Sequence, residues 1–210
     1  MNKLILFLTA FLFLTNSYSQ SFFINIGQNN SSINYTNSLN QEISELKNKD
    51  GYFIEAGISA NIKSKKKLKT KWIYNGSITL NQFNSEAFIY INEYSWDTEY
   101  LGVKNSVKYN LFNNDKGLNI NLNSGLTFLQ IISGEQRINN TFYNLKNNQE
   151  FKGIFYEPHI GFEISYSITN NAGLHFGYNI SKAKRLKGRN TGENFDGFNN
   201  KRIYLGFNLK

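Results

Sequence analysis

The stretch Tyr156-Glu157-Pro158-His159-Ile160-Gly161-Phe162-Glu163-Ile164-Ser165-Tyr166-Ser167-Ile168 decides the fold. Its even positions are apolar or aromatic, and its odd positions are Glu, His, Gly and Ser. Successive side chains of a strand point to opposite faces, so a period of two marks a strand with one apolar and one polar face. The same split runs through Tyr52 to Ile62, where every even position is apolar or aromatic. It returns in Leu101, Val103, Val107, Tyr109 and Leu111, in Leu174, Phe176, Tyr178 and Ile180, and in Ile203, Leu205, Phe207 and Leu209.

Working outward from these segments, the alternation predicts eight strands near 21–35, 50–62, 71–84, 97–112, 117–133, 152–168, 173–184 and 200–209. Asn113-Asn114-Asp115-Lys116 and Thr169-Asn170-Asn171-Ala172 read as tight polar turns. The lysine-rich link between the second and third strands is moderately short, and the remaining connections are long. Short and long connections therefore alternate. That asymmetry belongs to transmembrane barrels, which have an even strand count, short periplasmic turns and long extracellular loops. The expected fold is all-β, an eight-stranded antiparallel up-and-down transmembrane β-barrel.

Composition agrees with this. The chain has 210 residues, one proline and no cysteine, which excludes a disulfide scaffold, a thiolate metal site and a lipoprotein anchor. Lys3 followed by the apolar run Leu4–Leu14 and by Ser17-Tyr18-Ser19 reads as a secretory leader. The expected organisation is a cleaved signal peptide over 1–19 and one barrel domain over 20–210. No later apolar run approaches the 18 residues of a transmembrane helix.

Alternation alone does not say which face meets lipid, since a soluble lipocalin-like barrel around an apolar ligand has the same period. Three features favour lipid outside. The polar set, as in Asn119, Asn121, Asn123, Gly125 and Thr127, is rich in small polar residues rather than the Lys and Glu of a soluble surface. Trp72, Tyr74, Tyr109, Phe112, Tyr156 and Tyr166 fall toward strand ends, where interfacial girdles lie. The Ile203–Leu209 strand is placed to close the sheet against the first, as lipid requires.

Tyr100-Leu101-Gly102-Val103, running on to Val107-Lys108-Tyr109-Asn110-Leu111, resembles a strand of the outer-membrane β-barrel domain family common in Bacteroidetes. Gly161-Phe162-Glu163-Ile164-Ser165-Tyr166, with a tight turn and Gly173-Leu174-His175-Phe176-Gly177-Tyr178, is similar to that family's late hairpin. The resemblance implies an OmpA/OmpX-like eight-stranded barrel and carries no common catalytic residues. It also implies residence in the outer membrane of a Gram-negative bacterium, with both termini in the periplasm, and insertion by the barrel-assembly machinery. Assembly signals usually end on an aromatic residue, whereas here Asn208-Leu209-Lys210 follows Phe207.

With polar faces inward, Glu55, Lys104, Lys108, Glu157, His159, Glu163 and His175 share the lumen. The expectation is a network of paired charges, because buried charges persist only when compensated. A proton-linked gate is the competing reading, and porin-sized conductance is not expected of so few strands. For an enzyme of the lipid A deacylase or acyltransferase type, Ser167 opposite His175 is the best nucleophile–base pair, and His159 near Glu157 and Glu163 is a weaker set. Polar filling outweighs both, so a non-enzymatic barrel is expected. No metal or cofactor is expected from two histidines on separate strands.

The formal charge of +8 is concentrated in Lys63, Lys65, Lys66, Lys67, Lys69 and Lys71, and again toward the C-terminus. Lys182, Lys184, Arg185, Lys187, Arg189, Lys201 and Arg202 form an expected outer rim for anionic lipid, lipopolysaccharide above all. Nucleic acid is not an expected partner of a secreted chain. Phe88, Tyr90, Tyr94 and Trp96 make the loop between the third and fourth strands unusually apolar, a candidate partner surface or an extension of the sheet. The expected state is a monomer whose role is structural, adhesive or partner-binding.

Overall fold

In the computed structural model, the described residues are 20–36, 46–62, 71–89, 91–114, 117–146, 148, 151–186 and 194–210. The proposed leader, the lysines from 63 to 69, Tyr90, Lys187 and Arg189 lie outside them. The strands are β1 (Gln20–Thr36), β2 (Leu46–Asn61), β3 (Trp72–Ile89), β4 (Asn92–Asn113), β5 (Leu118–Ile138), β6 (Thr141–Asn144), β7 (Ile154–Ser167), β8 (Ala172–Arg185) and β9 (Asn194–Leu209). Each pairs antiparallel with its neighbours, and β9 pairs with β1 from Phe22↔Leu209 to Thr36↔Asn194. Closure leaves β1–β5 and β7–β9 as a ring of eight, with the short β6 added to the upper part of β5. A closed ring satisfies every ladder without an edge exposed to lipid.

The side chains are arranged inside out relative to a soluble protein. Ile26, Ile78 and Leu205 on the outer surface are 60%, 61% and 61% exposed. Glu55, Glu157 and Arg202 inside are 1%, 0% and 1% exposed. Water would penalise the first set and leave the second stranded, whereas hydrocarbon outside accommodates the first and a hydrogen-bonded lumen the second. The lipocalin alternative has the opposite orientation and is excluded by this arrangement.

The eight strands of the ring exceed the roughly 9–11 residues that cross a membrane; β4 has 22. The excess projects at the long-loop end. On β1 the outer face is Phe22, Ile24 and Ile26, then turns polar at Gln28 and Asn30. The segment expected as a long loop after position 84 continues as paired strand to Ile89↔Asn92. Its parity is kept throughout: Ala87 and Trp96 stay inside while Phe88 stays outside. A further tight turn follows Ile138, where Asn139 adopts φ 52°, a left-handed conformation that Asn tolerates better than most residues.

Candidate functional site

The lumen has three zones. Starting at the rim of short turns, the eight strands of the ring enclose a polar cavity of about 690 Å³ lined by Ser59, Asn61, Asn110, Asn119, Asn121 and Ser165, with Lys108, Glu163 and His175 deeper within. The zone above is ionic. At the long-loop end, Phe83, Tyr100, Phe155, Phe195 and Phe198 gather with Leu129, Leu145 and Phe151 into one buried apolar cluster. Phe83 stacks on Phe198 at 4.6 Å, and Phe151 on Phe195 at 4.5 Å. Among the described residues this cluster fills the bore.

All seven residues expected in the lumen are placed there, and the strand register explains their pairing. Lys104 lies opposite Ser77, and Ser77 opposite Gly57, which brings its ammonium to Glu55. The Lys104 Nζ–Glu55 Oε2 distance is 3.1 Å, and Asn25 Nδ2 and Ser77 Oγ donate to the same carboxylate at 2.9 and 2.5 Å. Lys108 Nζ donates to both oxygens of Glu163 at 2.7 and 2.6 Å, and Tyr204 Oη adds a bond of 3.2 Å. His175 Nε2 meets Asn25 Oδ1. Gly206 is required beside them, because a Cβ there would collide with the His175 ring and the Asn25 amide.

The third pair contains the residue that the sequence reading misplaced. Arg202 was expected on the lipid rim but lies in the middle of the lumen, 1% exposed. Its Nη2 stands 3.4 Å from Glu157 Oε1, its Nε donates to Asn29 Oδ1 at 2.8 Å and its Nη2 to Asn81 Oδ1 at 2.8 Å. The guanidinium also lies 4.2 Å from the Phe53 ring centroid. Parity is the reason: with Ile203 and Leu205 outward, Arg202 and Tyr204 must face inward. That signal was in the sequence, in the same alternation that defined β9. The interior thus holds three buried carboxylates, Glu55, Glu157 and Glu163, against Lys104, Lys108 and Arg202.

The other expected sites are redistributed in the same way. Ser167 pairs with Gly173, and Ser165 is the serine opposite His175, so the expected catalytic pair is off register by two residues. Of the rim, Lys182, Lys184 and Lys201 are exposed on the outer surface. Arg185 instead faces inward, its guanidinium 5.4 Å from the Phe155 ring centroid. Of the apolar loop, Phe88 is exposed with the Lys47 ammonium 5.6 Å from its ring. Tyr94 and Trp96 stack on each other at 5.9 Å and pack into the apolar cluster, so they are core rather than partner surface.

A closed ring of eight antiparallel strands, apolar outside and ionic inside, defines a transmembrane β-barrel of the type that resides in bacterial outer membranes. Comparison with solved structures agrees: OprG, an outer membrane protein of Pseudomonas aeruginosa, is similar with a TM-score of 0.50 at 9% identity, over 91% of this chain and 96% of that one. Neisserial surface protein A is similar at 12% identity and TM-score 0.48, over 90% and 96% of the two chains. Ail of Yersinia pestis is similar at 12% identity and TM-score 0.44, over 91% and 98%. At such identities the likeness is one of fold. No family model matches the chain, and no curated protein matches it.

Proposed function

We propose that this barrel is a non-enzymatic envelope protein that holds lipopolysaccharide through a collar of lysines at its long-loop end. The observation that carries this reading is the placement of Lys182, Lys184 and Lys201 on the outer face of β8 and β9, directly beyond the apolar Ile180 and Ile203. Lys201 lies opposite Ile180, and Lys182 opposite Asn199, so the ammonium groups share one patch where the apolar belt ends. Phosphates of an outer-leaflet glycolipid sit at that depth, and charge-assisted contacts to them are favourable. The reading places the long-loop end outside the cell and both ends of the described chain, which meet at Phe22↔Leu209, on the periplasmic side. It also keeps residues 1–19 as a leader removed on export and the assembly machinery as the route of insertion.

The non-enzymatic part rests on the chemistry of the lumen. Each buried carboxylate is engaged by a cation, and Ser165 and His175 line the polar cavity inside the barrel. The test is retention of lipid A by protein purified in detergent, measured by mass spectrometry. Replacing Lys182, Lys184 and Lys201 together by Gln is expected to lower bound lipid A at least tenfold, as in the loss of about 1.4 kcal/mol or more of charge-assisted binding. Unchanged retention in a correctly folded triple variant would remove the proposal.

A further inference from the structure

The outer belt of the barrel is interrupted by a polar side chain at its middle. Ile26 on β1, Ile54 on β2, Ile160 on β7, Phe176 on β8 and Leu205 on β9 are all exposed on the belt. On β4 the outward set runs Leu101, Val103, Asn105, Val107 and Tyr109, so a carboxamide has two apolar or aromatic positions on either side. Its neighbours Lys104 and Ser106 are buried inside, which fixes Asn105 on the outer face. Tyr74, on the same face of β3, donates its hydroxyl to Asn105 Oδ1. Among the described residues no acceptor takes a hydrogen bond from Asn105 Nδ2.

Hydrocarbon supplies no acceptor, so an amide at this depth is favourable only against another polar group. The phosphates and ester carbonyls of lipids lie at the two interfaces, well away from the middle of the belt. The group that meets Asn105 therefore belongs to protein. The surroundings suit a close approach. Gly76 lies opposite Asn105 on β3, and Ser124 lies diagonally from it on β5, opposite Val107. Ser124 Oγ donates to the His159 carbonyl within its own wall. In membranes, small residues let two surfaces come near and a polar residue among them bonds across the contact.

We propose that two copies of this chain meet on the β3–β5 face, with their Asn105 amides paired across a two-fold axis, in place of the monomer expected from the sequence. An amide complements itself, because its N–H carries the partial positive charge and its oxygen the partial negative charge that a second amide needs. Asn105 Oδ1 keeps a lone pair after accepting from Tyr74, so each copy donates one N–H and accepts one. Both copies insert in the same direction, which sets the axis along the membrane normal and brings residues of equal depth together. Asn105 then meets Asn105 of the second copy. Leu126, opposite Asn105 on β5, packs over Gly76 of the second copy, and the reverse contact follows by symmetry. In the ring, β4 stands across from β9, so the dimer leaves the Lys201 side free and does not rest on lipopolysaccharide binding.

The experiment is energy transfer between donor- and acceptor-labelled barrels in phosphatidylcholine vesicles, read against the protein-to-lipid ratio. The chain has no cysteine, so Asn171→Cys in a short turn places the label. The expected result is transfer above the level of random proximity, falling on dilution in lipid as a two-copy equilibrium. Asn105→Leu is expected to raise the dissociation constant roughly three- to twentyfold. Heat-modifiable migration and the urea midpoint of that variant are expected not to fall, since leucine suits a lipid-facing position. Asn105→Gln, which keeps the amide, is expected to retain more of the association than Asn105→Leu. Transfer at the random level at every ratio would overturn the proposal and assign the amide to a membrane protein of another sequence. A dimer whose dissociation constant moves less than about twofold in Asn105→Leu would overturn it as well, because the contact would then lie on another face.

Discussion

At the scale of single residues, Arg202 shows how the lumen is held. Its guanidinium binds Glu157, Asn29 and Asn81 and lies against Phe53, so four strands are tied by one side chain. Removing one partner of a buried pair leaves the other uncompensated, at a cost of about 3–5 kcal/mol. Arg202→Met is therefore expected to destabilise the barrel by about that amount, read from urea unfolding in lipid vesicles. Combining it with Glu157→Gln is expected to restore most of the loss, because no stranded charge remains. A double variant no more stable than the single one would show that Arg202 acts through its contacts to Asn29 and Asn81 instead. Parity made the inward set of Glu55, Lys104, Lys108, Glu157, His159, Glu163 and His175 legible in the sequence. Arg202 escaped because neighbouring basic residues were grouped by distance along the chain, which ignores that adjacent strand residues face opposite ways. Ser167 escaped for another reason: the tight turn after it sets the register, and a shift of two residues exchanges Ser165 for Ser167 opposite His175.

At the scale of elements, each strand divides into a part that lipid shapes and a part that it does not. Within the belt, the outer face takes Ile78 and the inner face Thr79, and their roles are not interchangeable. Ile78→Lys is expected to cost about 2–4 kcal/mol in vesicles, as for a cation near the bilayer midplane. Phe88→Ser, on the same outer parity of β3 but beyond the belt, is expected to change stability by less than about 0.5 kcal/mol. Equal costs in the two variants, by the same urea titration, would mean that the belt reaches the top of β3. This division also explains what could be read in advance. The belt segments were found close to their true bounds because one face was uniformly apolar. Past Asn84 the outer face becomes polar, the hydrophobic alternation fades, and the continuing strand resembled a loop. The hairpin of β5 and β6 was missed entirely, since Asn139-Asn140 gives its turn but Thr141–Asn144 is too short to show a period.

At the scale of the whole molecule, two unlike barriers stand in series across the bore. The upper one is apolar, built on the stacked Phe83 and Phe198 with Tyr100 and Phe155 edge-on around them. The lower one is ionic, with Arg202 and Glu157 nearest the aromatic cluster, since Glu157 is two residues from Phe155 on β7. An apolar constriction excludes ions by refusing to hydrate them, and an ion pair does so by occupying the cross-section with charges that are already compensated. An eight-stranded barrel has an interior that side chains alone can fill, so either barrier suffices by itself. Wild-type protein in a planar bilayer is therefore expected to show no steady conductance. Phe83→Ala with Phe198→Ala is expected to lower stability by several kcal/mol, of order 3–5 for each buried ring, yet to leave the bilayer insulating, because the Arg202–Glu157 layer remains. Adding Ala at Arg202, Glu157, Lys104, Glu55, Lys108 and Glu163 to that variant, which removes all three ion pairs of the bore, is expected to produce small, steady currents, provided that heat-modifiable migration shows a folded barrel. Currents from the aromatic double variant alone would place the whole barrier in the apolar cluster and leave the ionic layer a purely structural part of the wall.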